Sequence, residues 1–460
     1  MQLFKVISVP TVIIILGLLT GAAHADKKPN ILFILADDLG SAGLHCTGEE
    51  NLETPVLDTL AKQSRRFELA LSPYPTCKPA RAAILSGQYG PRTGVYRVVD
   101  RHTGEEDKIR YTVPENGNLP LETKTIAHCL QSVGYRTAMF GKWHVANDKN
   151  GHPTKYGFDE AISSTGHYTA KFAPERNLPK GKIAADLLTD EALTFIDKAH
   201  KDEKPFFLYM PYYLVHKPLE ARADYIKHFR AKFGADTTDQ QVTVAAMTKM
   251  LDDCVGRLLG KLDDLKIRDN TLVVFSSDNG SFEPLYNGRL RGVKGETYEG
   301  GMRVPYFFHL PGKIEPGLDS KNRVNGIDLF PTLLDATGAK KPMQSLDGTS
   351  LWPILSGKEN QLDQRKLFCY YPKYARFNKN TKKWKMSWRN VVYEGHYKLI
   401  HYPEYDSWEM FDLKADPTEK VNIAKQKPEQ FVALKKSLAT WLTEVGAPAM
   451  QENPNFKLAE

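Results

Sequence analysis

The chain has 460 residues, of which 41% are hydrophobic and 25% are charged, and its formal net charge is +7. These values are typical of a soluble globular protein, and the absence of repeats and low-complexity segments excludes a repeat array. The length allows one large domain with an appendage, or two or three domains. Five cysteines in a chain of this size do not call for a disulfide framework.

Residues 1–25 differ from the rest of the chain. Lys5 precedes an apolar run over 6–19, and small residues follow up to Ala23-His24-Ala25. This is the pattern of a secretory signal with an A-x-A cleavage site. The alternative, a membrane anchor, needs an apolar stretch of about 20 residues, and this run is shorter. We therefore expect a secreted or periplasmic protein that is cleaved near Ala25 and has no membrane anchor.

Beyond the signal, short continuous apolar runs alternate with amphipathic stretches. In chain order they predict a strand at 30–36, helices at 56–61 and 125–133, a strand at 136–140, a helix at 183–199, a strand at 205–210, a helix at about 240–265, a strand at 271–276 and a helix at 327–337. Residues 95–120 have no clear period and carry many charges, which predicts a long excursion over one face. Strands alternating with helices predict an α/β fold whose large, mostly parallel sheet is sandwiched by helices.

The pattern changes after Gly338, which is expected to cap a helix at its C-terminus. Alternating strands at 390–393 and 398–401 and a last helix at about 428–445 predict a small C-terminal domain with a short antiparallel sheet. The predicted division is a signal peptide at 1–25, a large α/β domain at 26–345 and a small α+β domain at 346–460.

Four oxygen-bearing side chains directly follow two of the predicted strands. Asp37 and Asp38 come after the first strand, and Asp278 and Asn279 come after the strand at 271–276. The carboxyl ends of strands in an open α/β sheet form the edge where ligands bind. A single Asp pair after a strand is more often a turn or a helix cap. Two such pairs offer carboxylate and amide oxygens and contain no histidine or cysteine ligand, which favours a hard cation, Ca²⁺ or Mg²⁺.

Cys77 lies at the start of a predicted helix that follows a loop rich in turn residues. Pro79 is tolerated only in a first helical turn, where free N–H groups favour negative charge. Arg81, four residues on, shares the face of Cys77. A cysteine beside a guanidinium is a candidate nucleophile, and a buried structural cysteine is the alternative. Cys129 and Cys254 fall on apolar faces of predicted helices and are expected to be buried and unpaired.

Three more cationic or titratable residues follow predicted strands. Lys142 and His144 come after the strand at 136–140 and, being two positions apart on an extended segment, point to the same face. His216 follows the strand at 205–210. For each of them a plain structural role is the alternative. The glycine-rich loop 289–301 could bind an oxyanion through its backbone N–H groups and Lys294, although a plain surface loop fits as well.

Five separated motifs resemble those of the sulfatase family and occur in the family's order. They are DDLG at 37–40, CKPAR with LSG at 77–87, GYRTAMFGKWH at 134–144, SDNG at 277–280 and RGVKGETYEGGMRVP at 291–305. YKLI at 397–400 and MFDLKADPTEKVNIA at 410–424 are similar to the family's small second domain. Two positions depart from the pattern: Ala80 stands where the family usually has serine, and Val145-Ala146 where many members have Leu-Gly.

The resemblance implies a formylglycine-dependent, arylsulfatase-like hydrolase of the alkaline phosphatase superfamily. In that family a formylglycine-generating enzyme oxidises the motif cysteine, here Cys77, and the hydrated aldehyde is the nucleophile. The resemblance also implies one Ca²⁺ per active site, bound by position 77 together with Asp37, Asp38, Asp278 and Asn279. An unmodified thiol has no second hydroxyl, so it cannot release the covalent sulfated intermediate.

The same resemblance implies roles for the cations and histidines. Lys142 and Lys294 would stabilise negative charge on the sulfate oxygens. His216 would protonate the departing alcohol. Arg81 and His144 would hold the diol, and His144 would take the proton from its second hydroxyl as the aldehyde re-forms.

A basic, aromatic segment gives the only clue to the substrate. Residues 373–389 contain seven Lys or Arg, several aromatic rings and no acidic residue. Cations can meet sulfates while rings stack on sugar faces, so the segment favours a sulfated saccharide; a solvated hairpin tip is the alternative. A basic, aromatic segment can also bind nucleic acid, but the predicted export argues against that ligand. The candidate substrate contacts are Lys382 and Trp384 in this segment, Arg97, Arg101, His102 and His167 in earlier loops, and Arg289 in the glycine-rich loop.

The predicted function is therefore removal of sulfate from a sulfated saccharide by an exported enzyme. Two alternatives stay open. A phosphonate or phosphate ester hydrolase could use the same aldehyde and metal. A non-catalytic glycan-binding protein would result if Cys77 stays unmodified.

Overall fold

The computed structural model describes residues 27–96, 98, 110–111, 117–378, 381, 383–449 and 451–454. The predicted signal peptide and most of the predicted excursion at 95–120 lie outside these residues. None of the helices within the described ranges is both long enough and apolar enough to cross a membrane.

The elements are named here in chain order. The strands are β1 Asn30–Ala36, β2 Arg65–Leu71, β3 Arg110–Tyr111, β4 Arg136–Gly141, β5 Glu160–Thr165, β6 Lys171–Ala173, β7 Phe206–Pro211, β8 Thr271–Ser277, β9 Tyr306–His309, β10 Gly317–Asn325, β11 Lys366–Tyr371, β12 Ala375–Asn378, β13 Lys383–Met386, β14 Arg389–Glu394, β15 Tyr397–Tyr402, β16 Ser407–Asp412 and β17 Gln451–Glu452. The helices are α1 Pro55–Lys62, α2 Cys77–Ser86, α3 Gly90–Thr93, α4 Ile126–Gln131, α5 Asp148–Gly151, α6 Ala184–Lys201, α7 Ala223–Phe233, α8 Asp239–Asp264, α9 Glu299–Met302, α10 Leu329–Thr337, α11 Trp352–Leu355 and α12 Pro428–Glu444.

A nine-stranded sheet forms the centre of the molecule, in the order β10-β2-β9-β8-β1-β7-β4-β5-β6. Strands β8, β1, β7, β4 and β5 are mutually parallel, whereas β9 and β6 run antiparallel to their neighbours. The carboxyl ends of the parallel strands therefore meet at one edge, where Ala36 of β1 lies opposite Ser277 of β8.

Helices cover both faces of this sheet, and β1 shows how its sequence allows this. Leu32 and Ile34 pack into one hydrophobic cluster with α6 and α8. Ile31 and Phe33 pack into another with α4 and α10. Because successive strand residues point to opposite faces, a strand that is buried on both faces must be apolar at every position. The run ILFILA at 31–36, which follows the single polar residue Asn30, meets this requirement.

A small four-stranded antiparallel sheet follows, in the order β11-β14-β15-β16. Helix α12 packs against it through Leu434, Leu438 and Trp441. The same cluster contains Ala80 and Ala83, so the small sheet and α12 share a core with helix α2 of the large domain. Strands β12 and β13 form a separate hairpin.

The predicted α/β class and the small antiparallel domain are confirmed, while the boundary near 345 stays a prediction. The strand predicted at 30–36 has those bounds as β1. Strand β2 was not predicted, because Arg65, Arg66 and Glu68 interrupt its apolar pattern; it lies beside the edge strand β10 and is only partly buried. Helix α7 and strands β5, β6, β9 and β10 were missed as well. Cys129 and Cys254 are buried and unpaired, as predicted.

Candidate active site

Four polar side chains meet at the carboxyl ends of β1 and β8. Asp37 and Asp38 follow β1, Asp278 and Asn279 follow β8, and all four are at most 1% exposed. Asp38 has a φ of 64°, and in this turn its N–H donates to Asp278 Oδ1 at 3.2 Å. Asn279 Nδ2 donates to Asp38 Oδ1 at 2.7 Å. The two strand ends are thus tied together by the side chains that were predicted as metal ligands.

These residues fit a hard cation. The three carboxylates of Asp37, Asp38 and Asp278, called here the carboxylate cluster, each place an oxygen within 4.8 Å of one another and of Cys77 Sγ. Asn279 Oδ1 is buried and has no hydrogen-bond partner among the described residues, so its lone pairs are free for a ligand. Burial and the charge of Asp37 raise the pKa of Asp278 to about 7. Oxygen donors with excess negative charge suit Ca²⁺ or Mg²⁺.

Cys77 begins helix α2, whose residues are all buried. Its Sγ lies 3.4 Å from Asp37 Oδ1 and 3.9 Å from Asp38 Oδ1. Burial, together with the charge of Asp37, raises the pKa of the Cys77 thiol far above its ordinary value. The thiol is therefore protonated at neutral pH, and the thiolate, the nucleophilic form, is disfavoured. An unmodified Cys77 is a poor nucleophile in this place.

Arg81, on the same helix as Cys77, contacts the aspartates that follow β1 and β8. The side chain is 0% exposed, and its Nε donates to Asp278 Oδ2 at 2.7 Å. Nη1 donates to the Lys142 carbonyl at 2.9 Å, and Nη2 lies 3.6 Å from Asp37 Oδ2. The guanidinium thus pairs with the carboxylate cluster, and its contact with the β4 loop holds Lys142 in place.

Two lysines point their ammonium groups at the carboxylate cluster. Lys142 follows β4, where its N–H donates to Pro211 O at 2.7 Å, and its Nζ forms an ion pair with Asp37. Lys294 Nζ lies 2.7 Å from Asp38 Oδ1. Burial opposes both charges, but the facing carboxylates outweigh it and raise the pKa of each lysine above its ordinary value. Both side chains are therefore cations beside the metal-ligand candidates, where an anionic substrate would meet them.

His144 and His216 supply two neutral imidazoles. Burial lowers the pKa of both rings, that of His144 well below its ordinary value. His144 Nδ1 is buried without a partner among the described residues. His216 Nδ1 lies 2.5 Å from Lys217 O, which makes Nδ1 the protonated nitrogen, and Nε2 lies 3.8 Å from Asp38 Oδ2. Each ring presents a nitrogen that can accept a proton.

Comparison with known proteins now identifies the family. A family model described as Sulfatase matches residues 29–339. The chain belongs to the sulfatase family. A model described as "N-sulphoglucosamine sulphohydrolase, C-terminal" matches residues 294–447. The protein is therefore an enzyme that hydrolyses sulfate esters.

Individual relatives support the same conclusion. This sulfatase is 33% identical to a sulfatase of Formosa agariphila, over 92% of this chain and 90% of the relative. It is 33% identical to the N-acetylgalactosamine-6-sulfatase of Canis lupus familiaris, over 76% of this chain and 70% of the relative. It is similar to the crystal structure of Ps i-CgsB in complex with k-i-k-neocarrahexaose, with a TM-score of 0.76, 28% identity and coverage of 90% and 92% of the two chains.

The predicted substrate contacts of this sulfatase are only partly brought together. His167 is 1% exposed, and its Nε2 lies 2.8 Å from the backbone oxygen of His216, so it supports the His216 segment, and its contact with a sugar stays a prediction. Arg289 is exposed on the glycine-rich loop. Trp384 is 8% exposed and packs edge-on against Tyr374, and its contact with a sugar also stays a prediction. The remaining candidates lie outside the described residues: Arg97, Arg101, His102 and Lys382.

Sequence reasoning missed Tyr213 at this sulfatase's active site. Lys142 Nζ lies 4.8 Å from the centre of the Tyr213 ring, a cation–π contact. The ring also packs edge-on against His167 and His216, with centroid distances of 5.2 and 5.0 Å. Tyr213 follows β7, so its position at the carboxyl edge of the sheet was the signal that could have singled it out.

Proposed function

We propose that this sulfatase removes sulfate from a sulfated saccharide by means of formylglycine formed from Cys77 and one bound Ca²⁺. The carboxylate cluster and Asn279 would hold the cation. The observation that carries the proposal is the approach of the cluster's oxygens to Cys77 Sγ, beside the buried and unpartnered Asn279 Oδ1. The protonated state of the thiol supports it further, because an unmodified Cys77 has little nucleophilic character here.

Modification and metal would together supply a hydrated aldehyde whose hydroxyl attacks sulfur near neutral pH. The chain's own cations do the remaining electrostatic work. Lys142 and Lys294 neutralise the sulfate oxygens as negative charge shifts during transfer, and both already point toward the cluster. Arg81 keeps Asp278 in place through its Nε contact.

Two proton transfers are assigned to the histidines. His216 Nε2, once protonated, donates to the departing alcohol oxygen, while the Nδ1–H contact with the Lys217 carbonyl fixes the ring. His144 accepts the proton of the second hydroxyl at position 77 when sulfate is released. Its lowered pKa keeps the ring neutral and therefore able to accept this proton. The two rings therefore act at different stages.

A saccharide is the proposed substrate on two grounds. One similar protein is named N-acetylgalactosamine-6-sulfatase, and another has a solved complex with k-i-k-neocarrahexaose. In addition, the basic β12–β13 hairpin approaches the glycine-rich loop, because a Cβ added to Gly295, the neighbour of Lys294, would overlap Met386 Cε. We infer that the hairpin's lysines bind the acidic chain of a sulfated polymer beside the reacting sulfate.

Export and maturation belong to the same proposal. Cleavage after Ala25 would leave Asp26 as the first residue, which N-terminal sequencing of the exported protein checks. A formylglycine-generating enzyme would have to reach Cys77 before α2 packs, since Cys77 is 1% exposed in the folded chain. Refolded protein that was never modified should therefore stay inactive when that enzyme is added afterwards.

The proposal is tested by assaying matched pairs of sulfate and phosphate esters before and after chelation. We expect sulfate ester hydrolysis that a chelator abolishes and Ca²⁺ restores. Asn279→Ala should weaken Ca²⁺ binding measured directly by calorimetry, since it removes one oxygen ligand. Preference for the phosphate or phosphonate ester, or activity that survives complete removal of divalent cations, would overturn the proposal.

A further inference from the structure

A group of buried charges lies where the small domain meets the loop that carries Lys294. Its members are Glu299, Arg303, Lys398 and Glu419, called here the buried network. Glu299, Lys398 and Glu419 are 0% exposed, and Arg303 is 9% exposed. The catalytic roles proposed above use none of them. Charges at this depth are costly to keep unless each is paired and hydrogen-bonded.

Glu299 is satisfied on both carboxylate oxygens. Lys398 of β15 donates to Glu299 Oε1 at 3.2 Å and to Glu419 Oε1 at 2.6 Å. The Tyr393 hydroxyl donates to Oε1 at 2.9 Å, and Arg303 donates to Oε2 at 2.6 and 3.1 Å. Burial works against the carboxylate, but Lys398 and Arg303 hold the pKa of Glu299 below its ordinary value. Glu299 is thus an anion fixed by cations from both domains.

Glu419 holds both ends of the loop formed by residues 291–301. Its carboxylate Oε2 accepts the backbone N–H of Glu299 at 2.7 Å. Its backbone carbonyl accepts from Arg291 Nη1 at 2.7 Å. The N–H of Gly300 donates to Arg291 O at 2.7 Å, which closes the neck of the loop. One residue of the small domain, Glu419, therefore contacts the loop both where it begins, at Arg291, and near its end, at Glu299.

The loop carries Lys294 between these two ends. The N–H of Lys294 donates to Ser281 O at 2.9 Å, and that of Gly295 to Pro75 O at 2.7 Å, two residues before Cys77. Lys294 Nζ lies 2.7 Å from Asp38 Oδ1. Since the ammonium reaches the site on a long side chain, its position depends on where the loop backbone is held.

We propose that the buried network is a positioning device for Lys294. The small domain clamps the ends of the 291–301 loop so that the ammonium stays where a sulfate oxygen will lie. The inference rests on the proposed function in so far as it takes Lys294 to contact the sulfate. Glu299, Lys398 and Glu419 act only through Lys294 and touch no substrate.

The test variant is Lys398→Met combined with Glu419→Gln. The variant removes the Lys398 ion pairs that fix Glu299 and Glu419, shortens side chain 398 by only one atom, and replaces the carboxylate that accepts the Glu299 N–H with a weaker, uncharged amide acceptor. The matched control is Arg365→Met combined with Asp328→Asn. Arg365 and Asp328 form an ion pair between the same two parts of the chain, with Nη1 2.6 Å from Oδ1 and side chains that are 16% and 0% exposed. Neither residue contacts the 291–301 loop, and neither has a role in the site described above.

A double-mutant cycle with Lys294→Ala separates positioning from general stability. In the background with Lys294, the network variant should lower kcat on a small aryl sulfate about tenfold to a hundredfold, whereas the control pair should change kcat little. In the Lys294→Ala background the network variant should cause no further loss. An equal fold-loss in both backgrounds would show that the network does not act through Lys294, and would overturn the inference.

Amide hydrogen exchange over residues 291–301 gives a readout that needs no catalysis. The network variant should exchange faster there, while the control pair should not; unchanged exchange in the network variant would refute the clamp. If the wild-type enzyme hydrolyses no sulfate ester, the proposed function fails, yet this measurement still decides whether the loop is clamped. Should the double variant not fold, Arg291→Met removes the entry contact together with the cation–π contact of Arg291 on Tyr298, with Arg291→Lys as its partial rescue. Arg291→Met that leaves exchange unchanged would equally overturn the clamp.

Discussion

Lys142 offers the sharpest prediction about the site. Lys142→Met removes the ammonium and keeps most of the apolar stem. In the native site the ammonium is paired with Asp37, and the two side chains are 5% and 0% exposed. Without it, the nearest ion-pair partner of Asp37 is the Arg81 guanidinium, whose Nη2 lies at 3.6 Å. The buried carboxylate would then have lost its closest cation.

Two magnitudes follow from this geometry. Loss of one preorganised donor to a developing oxyanion costs about 100- to 1,000-fold in kcat, or about 2.7–4 kcal/mol. Breaking a buried ion pair by removing one partner costs about 3–5 kcal/mol of folding stability, which should appear in chelator-treated protein. With metal bound, the cation would neutralise Asp37 and the stability loss should shrink.

The assay is kcat on an aryl sulfate at saturating substrate, with thermal unfolding measured with and without chelator. Lys249→Met is the matched control, because Lys249 pairs with Asp253 on α8 away from the site. We expect the control to keep wild-type kcat. If folded Lys142→Met keeps the wild-type kcat, Lys142 does not stabilise the transition state and the electrostatic reasoning fails.

Three further predictions concern proton transfer, substrate and pH. His216→Asn should slow a sugar sulfate at least about tenfold more than an activated aryl sulfate, since only the poor leaving group needs a proton, and equal effects on both esters would remove His216 from this role. Neutralising Lys382, Lys383 and Lys385 together should weaken turnover of a sulfated polymer and spare a small aryl sulfate; equal losses would contradict the hairpin's role. Burial raises the pKa of Asp252 to about 6 in the folded chain, so its stabilising effect is present at low pH and lost as pH rises through about 6. The free energy of unfolding of Asp252→Asn, measured by chemical unfolding, should therefore rise relative to that of the wild type by up to about 3 kcal/mol between about pH 4 and about pH 7.

Continuous apolar runs made part of this fold predictable. The runs at β1 and β8 have the pattern of strands buried on both faces, which places the polar residues that end them at one edge of a parallel sheet. The apolar pattern and the ends of its runs are therefore sufficient to bring Asp37 and Asp278 together. The end of α10 was also predictable, because Gly338 follows the last turn and adopts the left-handed conformation that glycine favours.

Other features depend on packing that no local pattern records. Glu299 and Lys398 are 99 residues apart in the chain and meet only because the small sheet packs against the large domain. Trp384 lies in a basic segment whose composition is the same whether its ring faces solvent or a core. Strand β2 begins with two adjacent arginines and is only partly buried, so its pattern was too weak to separate from a loop.

The central claim is that Cys77 becomes formylglycine and thereby the source of the nucleophile. Mass spectrometry of the peptide covering residues 70–92, isolated from the active enzyme made by its native organism, tests this directly. We predict an aldehyde in place of the thiol at position 77, with activity proportional to the modified fraction. Full activity from protein whose Cys77 is entirely a free thiol would contradict the account.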